Sequence, residues 1–113
     1  EDINITATTV RLPIVSGHSE SINIETKFPI NIKELRELFS NSKGIKILDN
    51  PKDNLYPMPI NSTDRDEVFI GRIRKDNSID NGVNLWVVSD NLRKGAALNA
   101  VQISETLIDQ NLL

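Results

Sequence analysis

The chain has 113 residues, 38% of them hydrophobic, with a formal net charge of −3 and no cysteine. That is enough for one compact domain, in the composition range of folded rather than disordered proteins. The missing cysteines exclude disulfides, zinc–thiolate sites and thiol catalysis within these residues.

No apolar run approaches the roughly 20 residues needed to cross a bilayer, and the acidic Glu1-Asp2 start does not resemble a signal peptide. With no initiator Met, the sequence reads as an internal or C-terminal piece of something longer. The densest positive cluster, Arg72, Arg74 and Lys75, sits among Asp64, Asp66, Glu67 and Asp76. That mixture fits a solvated surface rather than a nucleic-acid face.

In chain order, residues 8–15 alternate Val10, Leu12 and Ile14 against Thr9, Arg11 and Pro13, which predicts a strand. Pro13 puts that strand at an edge or interrupts it. Ser16-Gly17-His18-Ser19 breaks the pattern, and a second strand then alternates Ile22 and Ile24 with Asn23 and Glu25. After Pro29, Asn31 and Glu34 are spaced as a capping box, opening a helix with the stripe Ile32, Leu35, Leu38 and Phe39 and a stop at Gly44. Residues 45–48 read as a short strand. The proline- and Asn/Asp-rich residues 49–66 read as a long surface loop of functional or interfacial type.

Residues 68–74 and 83–88 form the strongest strand pair, a hairpin with a long polar connection ending Asp80-Asn81-Gly82. Asp90 or Asn91 can cap a last helix running to about Asp109, with small residues Gly95, Ala96 and Ala97 in its first turns. The layout is α+β: a mostly antiparallel sheet with helices packed on one side.

Three polar residues carry candidate chemistry. His18 is the only histidine; a turn imidazole is more often a hydrogen-bonded structural residue, but its pKa range suits proton transfer. Arg11 lies between Val10 and Leu12, either reaching from a solvated face or awaiting a carboxylate or phosphate for bidentate pairing. Asn91 is a helix cap or, at a helix start, a ligand contact. Trp86, beside Asn84 and Val88, reads as core or interface packing. No metal-ligand spacing, phosphate-cradling glycine loop or serine elbow is present.

Three segments in register resemble one family. They are Val10-Arg11-Leu12-Pro13-Ile14-Val15-Ser16-Gly17-His18-Ser19, Phe69-Ile70-Gly71-Arg72-Ile73-Arg74-Lys75-Asp76, and the run from Leu85 through Trp86, Asp90, Asn91 and Gly95 to Gln102. They are similar to the Arg-x-Pro…Gly-His block, the Val-Gly-Arg-Ile-Arg strand and the near-C-terminal signature of bacterial aspartate-semialdehyde dehydrogenases.

The resemblance implies a glyceraldehyde-3-phosphate-dehydrogenase-like C-terminal domain. Residues 1–113 would form the C-terminal part of the catalytic and dimerisation domain, without the cofactor-binding domain or the catalytic Cys. It implies the NADP-dependent reductive dephosphorylation of L-aspartyl 4-phosphate to L-aspartate 4-semialdehyde in lysine, threonine and methionine biosynthesis, through a cysteine thioester.

Under it, His18 is the acid/base partner of the cysteine, Arg11 holds the substrate α-carboxylate and Asn91 contacts NADP. A cytoplasmic homodimer is implied, with residues 68–88 and the proline-rich loop contributing to its surface, and neither nucleic acid nor membrane as partner. The isolated chain is expected to be inactive. The alternatives are a non-catalytic dehydrogenase-like scaffold module and N-acetyl-glutamyl-phosphate reductase, whose Pro-His setting differs from the Gly-His-Ser here.

Overall fold

The two segments with the strongest strand character form the centre of the sheet. In the computed structural model, which describes residues 2–112, β3 (Val68–Asp76) and β4 (Gly82–Ser89) pair antiparallel. Asp76 starts the tight part of their connection: its Oδ1 accepts from the amide and hydroxyl of Ser78 at 2.9 and 2.6 Å. Asp favours such positions because its side chain can mimic a backbone turn. β1 (His18–Glu25) adds antiparallel to β4, and β2 (Ile45–Ile47) adds parallel to β3, giving the order β1-β4-β3-β2. The expected α+β class with a mostly antiparallel sheet is therefore observed. Its one parallel pair uses residues 48–67 as the crossover that parallel neighbours require.

Side chains alternate across the sheet, and each face is covered differently. On one face Ile70, Val83 and Leu85 are buried under Ile32, Leu35 and Phe39 of α1 (Ile32–Asn41). The α1 cap uses the predicted residues but not the reciprocal backbone bonds of a capping box: Asn31 Oδ1 accepts from the Lys33 amide at 2.9 Å, and Glu34 accepts from the Asn31 side-chain amide, not from its backbone N–H, at 3.2 Å. Arg36 pins this helix to the sheet by pairing with the buried Asp49 carboxylate, which also accepts from the Ile73 amide at 3.1 Å.

The other face buries Phe69 against its cross-strand partner Val88. Residues 49–66, expected to be a long surface loop of functional or interfacial type, cover it. They contain a 3₁₀ turn at Pro51–Asp53 and the short helix α2 (Pro59–Ser62), and Pro57 and Ser62 are fully buried. Trp86 fastens the loop down, its Nε1 donating to the Pro57 carbonyl at 2.8 Å. Opposite Trp86, Gly71 makes room for the Pro57 ring and the Leu48 carbonyl.

Two expectations fail. Residues 8–15 form no strand: they run without regular structure along the surface, and Val10 and Val15 are 78% and 107% exposed. A strand is stabilised by a neighbour's hydrogen bonds, and among the described residues none is offered there. The last helix is also not continuous. A wide π-type turn at Arg93–Ala97 comes first, Ala96 departs from helical geometry (φ −147°, ψ −108°), and α3 (Leu98–Asp109) follows.

Gly71→Ala would drive its methyl into both the Pro57 ring and the Leu48 carbonyl. Overpacking of this kind costs about 1–3 kcal/mol, and here backbone must move as well. Urea unfolding followed by Trp86 fluorescence should show that loss, with a red-shifted native spectrum as the Pro57 contact opens; an unchanged midpoint would refute the packing argument.

Candidate functional site

Where β1 begins and β4 ends, the pairing sets His18 directly opposite Ser89. The chain enters this point through Gly17 at φ +99°, a conformation that L side chains rarely adopt and glycine permits. A Cβ on Gly17 would lie 3.4 Å from each of Pro59 Cβ, Ser62 Oγ and the Ser89 carbonyl. The glycine is thus wedged between α2 and the end of β4, and His18 emerges from the wedge with its side chain exposed.

The residues after β4 close the other side. Asp90 is only 2% exposed, and its carboxylate is fully occupied by backbone. One oxygen accepts from the amides of Leu92 and Arg93 at 2.8 and 2.9 Å, the other from the Asp64 amide at 2.9 Å. Asp90 is therefore the cap of the turn leading to α3, and it ties that turn to the segment after α2.

The neighbouring Asn91 does not cap. Its Oδ1 accepts from the Gly17 amide at 2.7 Å and from Ser16 Oγ at 3.3 Å. Because a backbone N–H can only donate, the orientation of this amide is fixed by its partner. Its Nδ2 makes no hydrogen bond among the described residues. Gly95 completes the surround: a Cβ there would sit 3.8 Å from His18 Nδ1 and 4.0 Å from Asn91 Cβ.

Two of the three predicted site residues, His18 and Asn91, are thus gathered at one place. Arg11 is not joined to them by any hydrogen bond or ion pair. It lies exposed on the irregular segment, and its guanidinium is unpaired among the described residues. The sequence reading overlooked the division of labour between Asp90 and Asn91. Local sequence carries no signal that separates them, because Asn91 stands at the same spacing from Arg93 and Lys94 as Asp90 does from Leu92 and Arg93. No cluster of three metal-ligating side chains occurs among the described residues, and no described helix is long and apolar enough to cross a membrane.

Residues 1–94 match the family model described as semialdehyde dehydrogenase, dimerisation domain. The chain belongs to this family. Among its relatives, the aspartate-semialdehyde dehydrogenase of Aquifex aeolicus is 53% identical over 113 residues, all of this chain and 33% of that protein. The protein of the same name from Bacillus subtilis is 48% identical over 99% of this chain and 33% of its own. The chain therefore spans about a third of the length of the curated relatives it matches.

Among solved structures, aspartate semialdehyde dehydrogenase II from Vibrio cholerae, complexed with ASA, superposes with a TM-score of 0.77 at 39% identity, over 86% of this chain and 28% of that one. The enzyme from Candida albicans, solved with NADP, gives 0.68 at 25% identity over 89% and 32%. The glyceraldehyde-3-phosphate-dehydrogenase-like fold expected of this family of semialdehyde dehydrogenases agrees with both.

The Asp90 carboxyl is held below its ordinary range chiefly by the Arg93 amide, then by those of Asp64 and Leu92, against the opposing effect of burial. A lowered folded pKa means stability that is present above the unfolded value of about 3.9 and lost as pH falls through the folded one. Asp90→Asn keeps one oxygen for Leu92 and Arg93 but turns an NH₂ towards the Asp64 amide. Urea midpoints should show the variant less stable than the parent from pH 5 to 7, with the gap closing below about pH 4. A pH-independent gap would show that the charge is not what matters.

Proposed function

We propose that this chain forms the acid/base and substrate-clamping part of an aspartate-semialdehyde dehydrogenase, the enzyme of NADP-dependent reductive dephosphorylation of L-aspartyl 4-phosphate to L-aspartate 4-semialdehyde. The observation that carries the reading is the exposed imidazole of His18, held at a fixed strand end by Gly17 and Asn91 in a chain of this family. The chain has no cysteine, so the nucleophile comes from outside these 113 residues. Residues 1–113 are then the C-terminal part of the dimerisation and catalytic domain.

Each residue has a chemical task in this reading. His18 takes the thiol proton, so that a thiolate attacks the acyl phosphate and phosphate leaves. It then holds the proton that moves on and off the aldehyde-level oxygen of the cysteine adduct. An exposed imidazole at a fixed strand end can meet a thiol and an oxygen brought from outside these residues. Arg11 offers a planar fork of donors that matches the substrate α-carboxylate.

NADP, when bound, supplies or accepts the hydride. The Asn91 amide fits a single polar contact to it, since its oxygen is taken by Gly17 and its Nδ2 remains a donor for a carbonyl. A cytoplasmic setting accords with this biosynthetic role.

In the full-length protein, His18→Ala should lower kcat by about 10²–10⁴-fold, the usual share of a general acid/base, with little change in NADP affinity. Arg11→Ala should leave kcat nearer normal and raise the KM for aspartate semialdehyde. Losing charge-assisted hydrogen bonds worth about 1.5–3 kcal/mol corresponds to about 10–150-fold. Steady-state kinetics checks both; a normal kcat in the first variant, or a normal KM in the second, refutes the corresponding role.

The same reading makes the protein a homodimer. The face beside the proline-rich loop offers an open depression of about 310 Å³ lined by Ser21, Tyr56, Arg72, Arg74 and Trp86. It combines aromatic and arginine side chains, the types enriched at interfaces. It is the surface we assign to the second copy. Light scattering on the full-length protein should give twice the monomer mass, and Trp86→Ala or Arg74→Glu should shift it towards monomer; a strictly monomeric parent rules the assignment out.

A further inference from the structure

The hydrogen bonds around His18 give Asn91 a second task. Its side-chain oxygen holds the Gly17 amide at 2.7 Å and meets the Ser16 hydroxyl at 3.3 Å, so the two residues before the histidine are attached to the residue that follows the Asp90 cap. Gly17 has little room to find another position. At φ +99° it is packed on Pro59, Ser62 and Ser89, and the next residue enters the β1–β4 ladder opposite Ser89. Asn91 in turn is fixed by its neighbour, whose carboxylate is held by three backbone amides in a nearly inaccessible position. The direction in which the imidazole leaves the sheet is thereby set from two sides, the strand register and the Asn91 oxygen.

We propose that Asn91 is a positioning residue for His18, acting through the Gly17 amide, and that its two amide atoms divide the work: Oδ1 orients the base while Nδ2 meets the bound cofactor. This rests on the reading of His18 as the acid/base group. The division follows from the geometry, because an oxygen already accepting from a backbone N–H and a hydroxyl has little further capacity, whereas the NH₂ has both its protons free among the described residues. One side chain then links occupancy of the ligand position to the orientation of the imidazole.

Asn91→Asp and Asn91→Ala separate the two tasks. The carboxylate keeps an acceptor for Gly17 but cannot donate; the methyl does neither. In full-length protein, both variants should raise the KM for NADP about tenfold, the worth of one hydrogen bond of about 1.4 kcal/mol, because neither side chain can donate. The Ala variant should lose about tenfold or more in kcat as well.

A second readout needs neither cofactor nor turnover: amide exchange at Gly17, measured by NMR, should quicken at least tenfold in the Ala variant and stay slow in the Asp variant. Equal kcat in both variants with only the NADP constant changed would overturn the proposal, as would unchanged Gly17 exchange in Asn91→Ala. Failure of the underlying reading is recognised separately, by a normal kcat in His18→Ala.

Discussion

The arrangement around His18 depends on one buried carboxylate. Asp90 stands where β4 runs out of partners, at a point where three backbone amides from two different segments would otherwise be left unsatisfied. Buried amides without acceptors cost free energy comparable to a lost hydrogen bond each. A charged acceptor that serves all three converts this liability into a junction. It joins the turn at Arg93–Ala97 to the segment after α2, and it leaves the next residue, Asn91, aimed back at the Ser16-Gly17 step. A salt bridge between Arg93 and Asp66 spans the same two segments on the exposed side. That pair contributes little by itself, since exposed ion pairs are screened and entropically costly.

The sheet supplies the second constraint. Because β1 is registered on β4 from His18↔Ser89 to Glu25↔Gly82, a slip by one residue would turn His18 to the opposite face and exchange Ile22 for polar neighbours in the core. The hydrophobic pattern that buries Ile22 beside Leu85 is thus also what aims the imidazole. A bulge between Gly71 and Arg74, with Arg72 at φ 54°, changes the face on which the rest of β3 presents its side chains. It brings Ile73 into the core while Arg72 and Arg74 line the open depression with Trp86.

Much of this was legible in the sequence where the determinants are local. The two hairpin strands, α1 and the short β2 each follow from a pattern spanning fewer than a dozen residues, and each formed where its pattern lies. What failed depended on partners. Residues 9–14 alternate as a strand would, but alternation only states which side chains could share a face; a ladder needs a second backbone, and Pro13 cannot donate to one. The last helix has good periodicity, but the pattern does not register that Ala96 departs from helical geometry in the turn beside His18. The proline-rich loop looked like surface because its residues are polar, yet Pro57 is buried against Trp86 and Gly71 and Ser62 lies against Gly17, all far away in sequence. At the site, His18 and Asn91 were visible as residue types. Their connection through the Gly17 amide joins positions far apart in the chain, and no local pattern encodes it.

The two residues assigned to chemistry consequently differ in how their geometry is achieved. His18 is oriented within this chain by a strand ladder, a glycine in the left-handed region and an amide beside a buried charge. Arg11 is seven residues away on a segment that carries apolar Val10, Leu12 and Ile14 in the open and makes only a single local backbone turn from Ile14 to Leu12. A long cationic side chain on an unpaired backbone retains most of its conformational freedom, and ordering it costs about 1–2 kcal/mol per residue fixed and up to about 2 for the side chain. Burial of the three apolar neighbours, each worth at most about 1.5–3 kcal/mol, offsets part of that cost once a surface covers them. In the proposed roles, the base would be preorganised by the fold, whereas the carboxylate clamp would take its geometry from whatever packs on residues 8–15; substrate affinity would then be more sensitive to assembly, and turnover to the Asp90–Asn91 junction.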